Sequence, residues 1–200
     1  HYILLNDCTL LDDEKGTTQI DHILLSPYGI FVIETKNYKG WIFGGEYQKT
    51  WMQKLFKQSF KFQNPLHQNY KHVKVLENVL ADVVDPSYIH SLVVFMPDCE
   101  FKTQMPKNVF KGASWTEHVK KYKEEVISPM KLKRIQLRIE KEVLEISTPL
   151  DNISSFALQK VLLKASGFDK DVVDSNVKTF VTAYYSKCKS AVMPLVKIEI

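Results

Sequence analysis

The sequence predicts an α/β fold: a mixed sheet of four to five strands with helices on both sides, followed by a helical extension. Three observations predict it. Residues 17–36 are rich in β-branched and aromatic residues on either side of Ser26-Pro27-Tyr28-Gly29, a turn signal, and so read as a β-hairpin. Residues 88–96, YIHSLVVFM, form a buried-type strand closed by Pro97, and its place after a helical stretch suits a parallel or mixed sheet. Beyond Pro149 the pattern turns helical, over residues 152–166 and 172–189, before a strand-like tail.

The remaining elements follow in order. Residues 2–11 read as a first strand ending in the acidic turn Asp12-Asp13-Glu14-Lys15-Gly16. After the 17–36 hairpin, GWIFGGEYQKTWMQK reads as a second hairpin turning near Gly44-Gly45, with Trp41 and Trp51 on its strands. Lys54, Lys57 and Lys61 then recur at roughly helical spacing. Asn64-Pro65 is a helix start, asparagine as cap and proline in the first turn, and the helix is expected to run to Ala81. Leu66, Val73, Leu76 and Leu80 form its apolar stripe, with Val75 and Val79 on the other side, so it is expected to be covered on both faces. A short strand is expected at 108–110, a helix at 117–127, and another opened by Ser128-Pro129 and rich in Lys and Arg. A boundary is placed between Ile127 and Pro149, giving a core domain over 1–127 and a mainly helical extension over 128–200.

Composition bounds the function without naming it. Two hundred residues, 44% hydrophobic and 25% charged, are ordinary for a globular chain able to bury a real core. No apolar run approaches the roughly 18 residues that span a bilayer, so no membrane partner is expected. Cys8, Cys99 and Cys188 show no paired spacing, which argues against zinc or a disulfide framework and for a reducing cytoplasm. A net charge of +4 is compatible with a polyanionic partner but does not reveal one.

The chemistry lies in the first hairpin. If its turn is symmetric about Pro27-Tyr28, Asp21 faces Glu34 and Gln19 faces Lys36, and alternation puts all four on one face. Two carboxylates that close repel unless a cation neutralises them, and a lysine two residues on shares their face. Such a set can bind Mg²⁺ and cut a phosphodiester, with Lys36 orienting the attacking water or stabilising the developing charge. A three-residue turn with a glycine bulge would instead throw Asp21 and Glu34 onto opposite faces, so the metal reading requires an even loop or a second bulge. Gln19 is an equal candidate for a bond to water or phosphate and for a structural bond. His22 points across the sheet and is discounted as a ligand. Gln68 and His72 lie one helical turn apart, and a structural role is expected for His72. Lys54, Lys57, Lys61, Lys71 and Lys74, interleaved with Phe56, Phe60, Phe62 and Tyr70, are candidates for a basic rim against a phosphate backbone.

GTTQIDHILLSPYGIFVIETKNYKGWIFG, with QNPLHQNYKHV downstream, resembles the NERD (nuclease-related) domain found in many bacterial proteins; the resemblance runs from about residue 2 to residue 74. It implies the restriction-endonuclease-like, PD-(D/E)xK fold, and a Mg²⁺- or Mn²⁺-dependent nuclease acting on DNA with Asp21, Glu34 and Lys36 as its core. Ile20 stands where the wider superfamily has proline. The resemblance further implies that the Thr35 carbonyl completes a metal shell with Asp21 and Glu34, and that Gln68 meets substrate or a metal-held water. No small-molecule cofactor is implied; homo-oligomers are common among such endonucleases, though no interface is legible here. The family usually carries a glutamate on a helix upstream of the first strand. This sequence opens at His1 in strand-like residues, so that helix is expected to be missing from it. The second reading is a nucleic-acid-binding or regulatory module on the same fold, with weak or no catalysis.

Overall fold

The structure, a computed structural model, describes residues 2–12 and 16–143. In chain order the elements are strands β1 (Ile3–Asp12), β2 (Gly16–Ser26), β3 (Gly29–Lys36), β4 (Gly40–Phe43), β5 (Thr50–Leu55) and β6 (Gln58–Gln63), helix α1 (Pro65–Val79), strands β7 (Ile89–Phe95), β8 (Cys99–Phe101) and β9 (Val109–Lys111), and helices α2 (Ser114–Val119) and α3 (Pro129–Glu142). Two mixed sheets result, one in the order β1-β2-β3-β7-β9 and one in the order β6-β5-β4-β8. The α/β class with a mixed main sheet is as expected; the expected second hairpin, with Trp41 and Trp51 on its strands, is β4–β5, and β6 and β8 extend it into a separate sheet.

The main sheet is antiparallel from β1 to β3 and parallel from β3 through β7 to β9. β3 is its middle strand, and its apolar residues, buried on both faces, separate two clusters. Ile30 and Val32 face a cluster with Val73, Val75 and Leu76 of α1 and Leu132, Ile135 and Ile139 of α3. Phe31 and Ile33 face the other, with Leu92, Val94 and Val119. Helices therefore cover both faces, which explains why residues 29–33 read as an uninterrupted apolar run.

Asn64 fixes the entry to α1. Its Oδ1 accepts from the Leu66 N–H at 2.9 Å, and its Nδ2 donates to the carbonyls of Glu46 and Gln48 at 3.0 and 2.7 Å. One fully buried side chain thus caps the helix and holds the β4–β5 loop.

The structure corrects two expectations. Lys54, Lys57 and Lys61 lie on a β5–β6 hairpin, not on a helical segment. Period-two packing decides this: Trp51 pairs with Phe62, and its ring stacks on Phe95 at 5.9 Å. α2 ends at Val119 rather than near Ile127. The next residues carry the chain from one face of the main sheet to the other, where the Val126 and Ile127 N–H groups donate to the Pro27 carbonyl at 2.9 and 3.0 Å. α3 buries its apolar stripe in the α1-side cluster, and Arg138 pairs with Asp82 at 2.8 Å. The helices expected at 152–166 and 172–189 lie outside the described residues.

Candidate active site

The β2–β3 ladder pairs Ser26 with Gly29, Leu25 with Ile30, Leu24 with Phe31, Ile23 with Val32 and His22 with Ile33. This is the register of a two-residue Pro27-Tyr28 turn, and one step beyond the last pair stand Asp21 and Glu34. There the strands part. Asp21 Oδ2 accepts from the Thr35 N–H and from the Thr35 hydroxyl, each at 2.8 Å, so a side chain takes the place of the ladder. The Lys36 carbonyl accepts from Met96 N–H at 2.9 Å on the β7 side. Since strand residues alternate in the side their amide groups face, the Thr35 carbonyl lies on the β2 side, with Asp21.

The other face of β3 meets α1. Glu34 Oε1 accepts from Lys36 Nζ at 2.5 Å, and Lys36 Nζ also donates to Gln68 Oε1 at 3.0 Å. Glu34 Oε2 lies 3.2 Å from His72 Nε2, and His72 Nδ1 lies 2.8 Å from Thr18 Oγ1. The spacing is set by the two elements. Two strand residues advance about 6.6 Å and four helical residues about 6.0 Å, so Glu34 and Lys36 fall over His72 and Gln68 in turn. Glu34 is 2% exposed. Burial pushes its carboxyl up, but His72 and Lys36 beside it outweigh that and hold it below the ordinary glutamate value.

Gln19 does not join this face. The β1–β2 ladder skips Asp7 and Asp21, and Asp7 has φ of 51°. On one side of that break Leu5, Ile23 and Leu25 face the α1-side cluster; on the other side Cys8, Leu10 and Ile20 do. The facing residues switch from odd to even numbers, so Thr18 turns inward to His72 while Gln19, paired with Thr9, is exposed. Simple alternation cannot anticipate that switch, and Thr18 was missed for this reason. His72, read from sequence as structural, touches Glu34 directly. His22, also near the break, lies with Nδ1 2.6 Å from Asn6 Oδ1, and burial lowers its pKa against the pull of Asp21, Asp7 and Glu34.

Asn69 is a further residue that sequence reading passed over. Fully buried on α1, it donates through Nδ2 to the carbonyls of Val32 and Leu92 at 2.9 and 3.0 Å, holding α1 against the β3–β7 seam next to Gln68 and one turn before His72.

The five lysines separate into two groups. Lys54 and Lys61 lie on the face of the second sheet that also presents Trp41, with Lys54 Nζ 5.8 Å and Lys102 Nζ 4.7 Å from the Trp41 ring centre. Lys57 stands at the hairpin tip beside Phe56, which is 99% exposed. Lys71 and Lys74 lie on α1 beside carboxylates, 2.8 Å from Asp12 and 2.6 Å from Glu77.

Whether the site suits a divalent cation can be judged from its donors. Among the described residues no three His, Cys, Asp or Glu side chains converge as a complete ligand set. Mg²⁺ does not need one, since it keeps several waters and takes one or two protein carboxylates. Asp21, Glu34 and the Thr35 carbonyl are oxygen donors of that kind, and Glu34 Oε2 is buried without an aligned hydrogen-bond donor.

Residues 1–96 match the family model of the nuclease-related domain, NERD. Over 101 residues the chain is 43% identical to an uncharacterized protein of Bacillus anthracis, a match covering 50% of this chain and 46% of that protein. The chain thus spans about half the length of this relative. No solved structure matches it.

Proposed function

Because the chain belongs, through residues 1–96, to the nuclease-related domain family, we propose that it is a divalent-metal-dependent nuclease that hydrolyses phosphodiester bonds in DNA. One observation carries the reading: Asp21 and the Glu34-Thr35-Lys36 run meet where β2 and β3 part, with Gln68 and His72 of α1 closing one side.

Asp21, Glu34 and the Thr35 carbonyl would hold the cation. A bound Mg²⁺ or Mn²⁺ supplies an acidified water and neutralises charge on the scissile phosphate. The protein residues set the rest. Thr35 orients the Asp21 carboxylate through two donors to one oxygen. Lys36, held by Glu34 and Gln68, keeps its ammonium at the reacting centre, where it can orient the water and stabilise developing negative charge. Lys54 and Lys61 beside Trp41, with Lys57 at the tip, offer a basic, aromatic surface for the phosphate backbone.

The second reading is a nucleic-acid-binding module with weak or no catalysis. It is favoured by the absence, among the described residues, of a complete side-chain ligand set. One experiment separates the two: Mg²⁺ and Mn²⁺ binding by calorimetry, wild type beside Asp21→Ala, with cleavage of supercoiled and linear DNA on the same samples. Binding and cutting that both vanish in the variant support the nuclease. DNA binding without cutting at any metal concentration supports the module.

A further inference from the structure

Glu34 Oε2 and His72 Nε2 are both buried, lie 3.2 Å apart, and are not aligned as a hydrogen bond. The two residues are 2% and 5% exposed, so water does not readily serve either atom. Leaving such atoms without a partner is costly in a protein interior. The Thr18 hydroxyl lies 2.8 Å from His72 Nδ1 and can donate or accept there; where Nδ1–H donates to it, Nε2 keeps a lone pair aimed at Glu34. A lone pair and a carboxylate oxygen facing each other at this distance repel unless a cation joins them. The separation is also what two adjacent ligand atoms have on one ion at roughly 2.0–2.2 Å.

We propose that His72 is a nitrogen ligand of the divalent cation held by Glu34, with Thr18 as the positioning residue that orients its ring. This rests on the nuclease reading of the site and goes beyond it, because it sets the metal preference. Oxygen donors alone suit Mg²⁺, whereas an imidazole shifts a site toward Mn²⁺ and Co²⁺. A ligating histidine usually donates its second ring N–H to an outer acceptor so that the first nitrogen points at the metal, and the Thr18 oxygen stands where that acceptor would be. The pair was not legible in sequence because the β1–β2 break at Asp7 and Asp21 is what turns Thr18 inward.

The test is pulsed electron paramagnetic resonance of Mn²⁺ added alone to the full chain, beside calorimetric Mn²⁺ and Mg²⁺ titrations. Wild type is expected to show ¹⁴N coupling from a directly bound imidazole and to bind Mn²⁺ at least about tenfold more tightly than Mg²⁺. His72→Gln is expected to lose the coupling and most of that preference. Thr18→Val is expected to keep the coupling and weaken Mn²⁺ binding about 10–100-fold. Circular dichroism and thermal melting of each variant check that it is folded, and Thr18→Val serves if His72→Gln does not fold. Mn²⁺ bound without ¹⁴N coupling would overturn the assignment of His72 while leaving a carboxylate metal site in place. Coupling that survives in His72→Gln and vanishes in His22→Gln would move the ligand to His22 and also overturn it. A folded wild type that binds no Mn²⁺ would overturn both the assignment and the metal-dependent reading beneath it.

Discussion

Asp21 and Thr35 are joined twice, the backbone N–H and the hydroxyl of one residue both reaching the same carboxylate oxygen of the other at 2.8 Å. This contact lies where β2 separates from β3, and it orients the carboxylate without help from the ladder. Thr35→Val keeps the backbone donor and removes the hydroxyl. The expected outcome is a fall of about 10–100-fold in metal affinity, the usual effect of losing an outer contact to a ligand, with little change in melting temperature. Calorimetry and a thermal scan read the two quantities separately, and an unchanged affinity would remove Thr35 from the site's orientation.

Lys36 holds Glu34 and Gln68 together. Lys36→Met should lower single-turnover cleavage by about 10²–10⁴-fold while DNA affinity changes far less, because a positioned acid–base group acts on the chemical step. It should also destabilise the fold by about 1–3 kcal/mol, since a Glu34 oxygen loses its donor inside the protein. Equal losses in turnover and DNA affinity would make Lys36 a binding residue.

Glu34 predicts a pH dependence whose sign follows from its neighbours. Its carboxyl is held below the ordinary value of 4.5 in the folded protein, so its ionised form stabilises the fold above that pH and that contribution is lost as pH falls through the folded value. In urea titrations at a series of pH values, wild type should lose stability more steeply than Glu34→Gln below about pH 4.5. Parallel curves would show that the buried pair with Lys36 contributes nothing to folding.

Phe56 sits at the β5–β6 tip with φ of 49° and is 99% exposed, so it bears the strain of a left-handed backbone without burying its ring. Phe56→Gly should stabilise the fold by about 1 kcal/mol. It should also weaken DNA binding if the ring stacks on bases, which fluorescence anisotropy would show. Lys54→Ala and Lys61→Ala should each flatten the salt dependence of binding by about 0.9 in logarithmic slope if each meets a phosphate. An unchanged slope would take the hairpin out of the DNA interface.

Asn64→Ala should cost about 3 kcal/mol, combining a lost helix cap with stranded carbonyls at Glu46 and Gln48. Chemical denaturation measures it, and a loss below about 0.5 kcal/mol would mean water replaces the side chain.

The sequence by itself determined whatever is encoded by neighbours along the chain. The Pro27-Tyr28 turn, the β-branched and aromatic residues flanking it and the Asn64-Pro65 cap specify the central hairpin and the start of α1, because turns and caps are local backbone problems solved by particular side chains. The turn residues left two registers open, and the folded ladder takes the even one, one step beyond which Asp21 and Glu34 stand. Tertiary structure alone decided what depends on a change of direction. The break at Asp7 and Asp21 exchanged Gln19 for Thr18 on the inner face, and packing against Phe95 made residues 50–63 a hairpin although the lysine spacing read as helical. Only the docking of α1 across the end of β3 brought His72 to Glu34 and Gln68 to Lys36, since contacts between residues more than thirty positions apart follow from how elements pack and not from any pattern within either one.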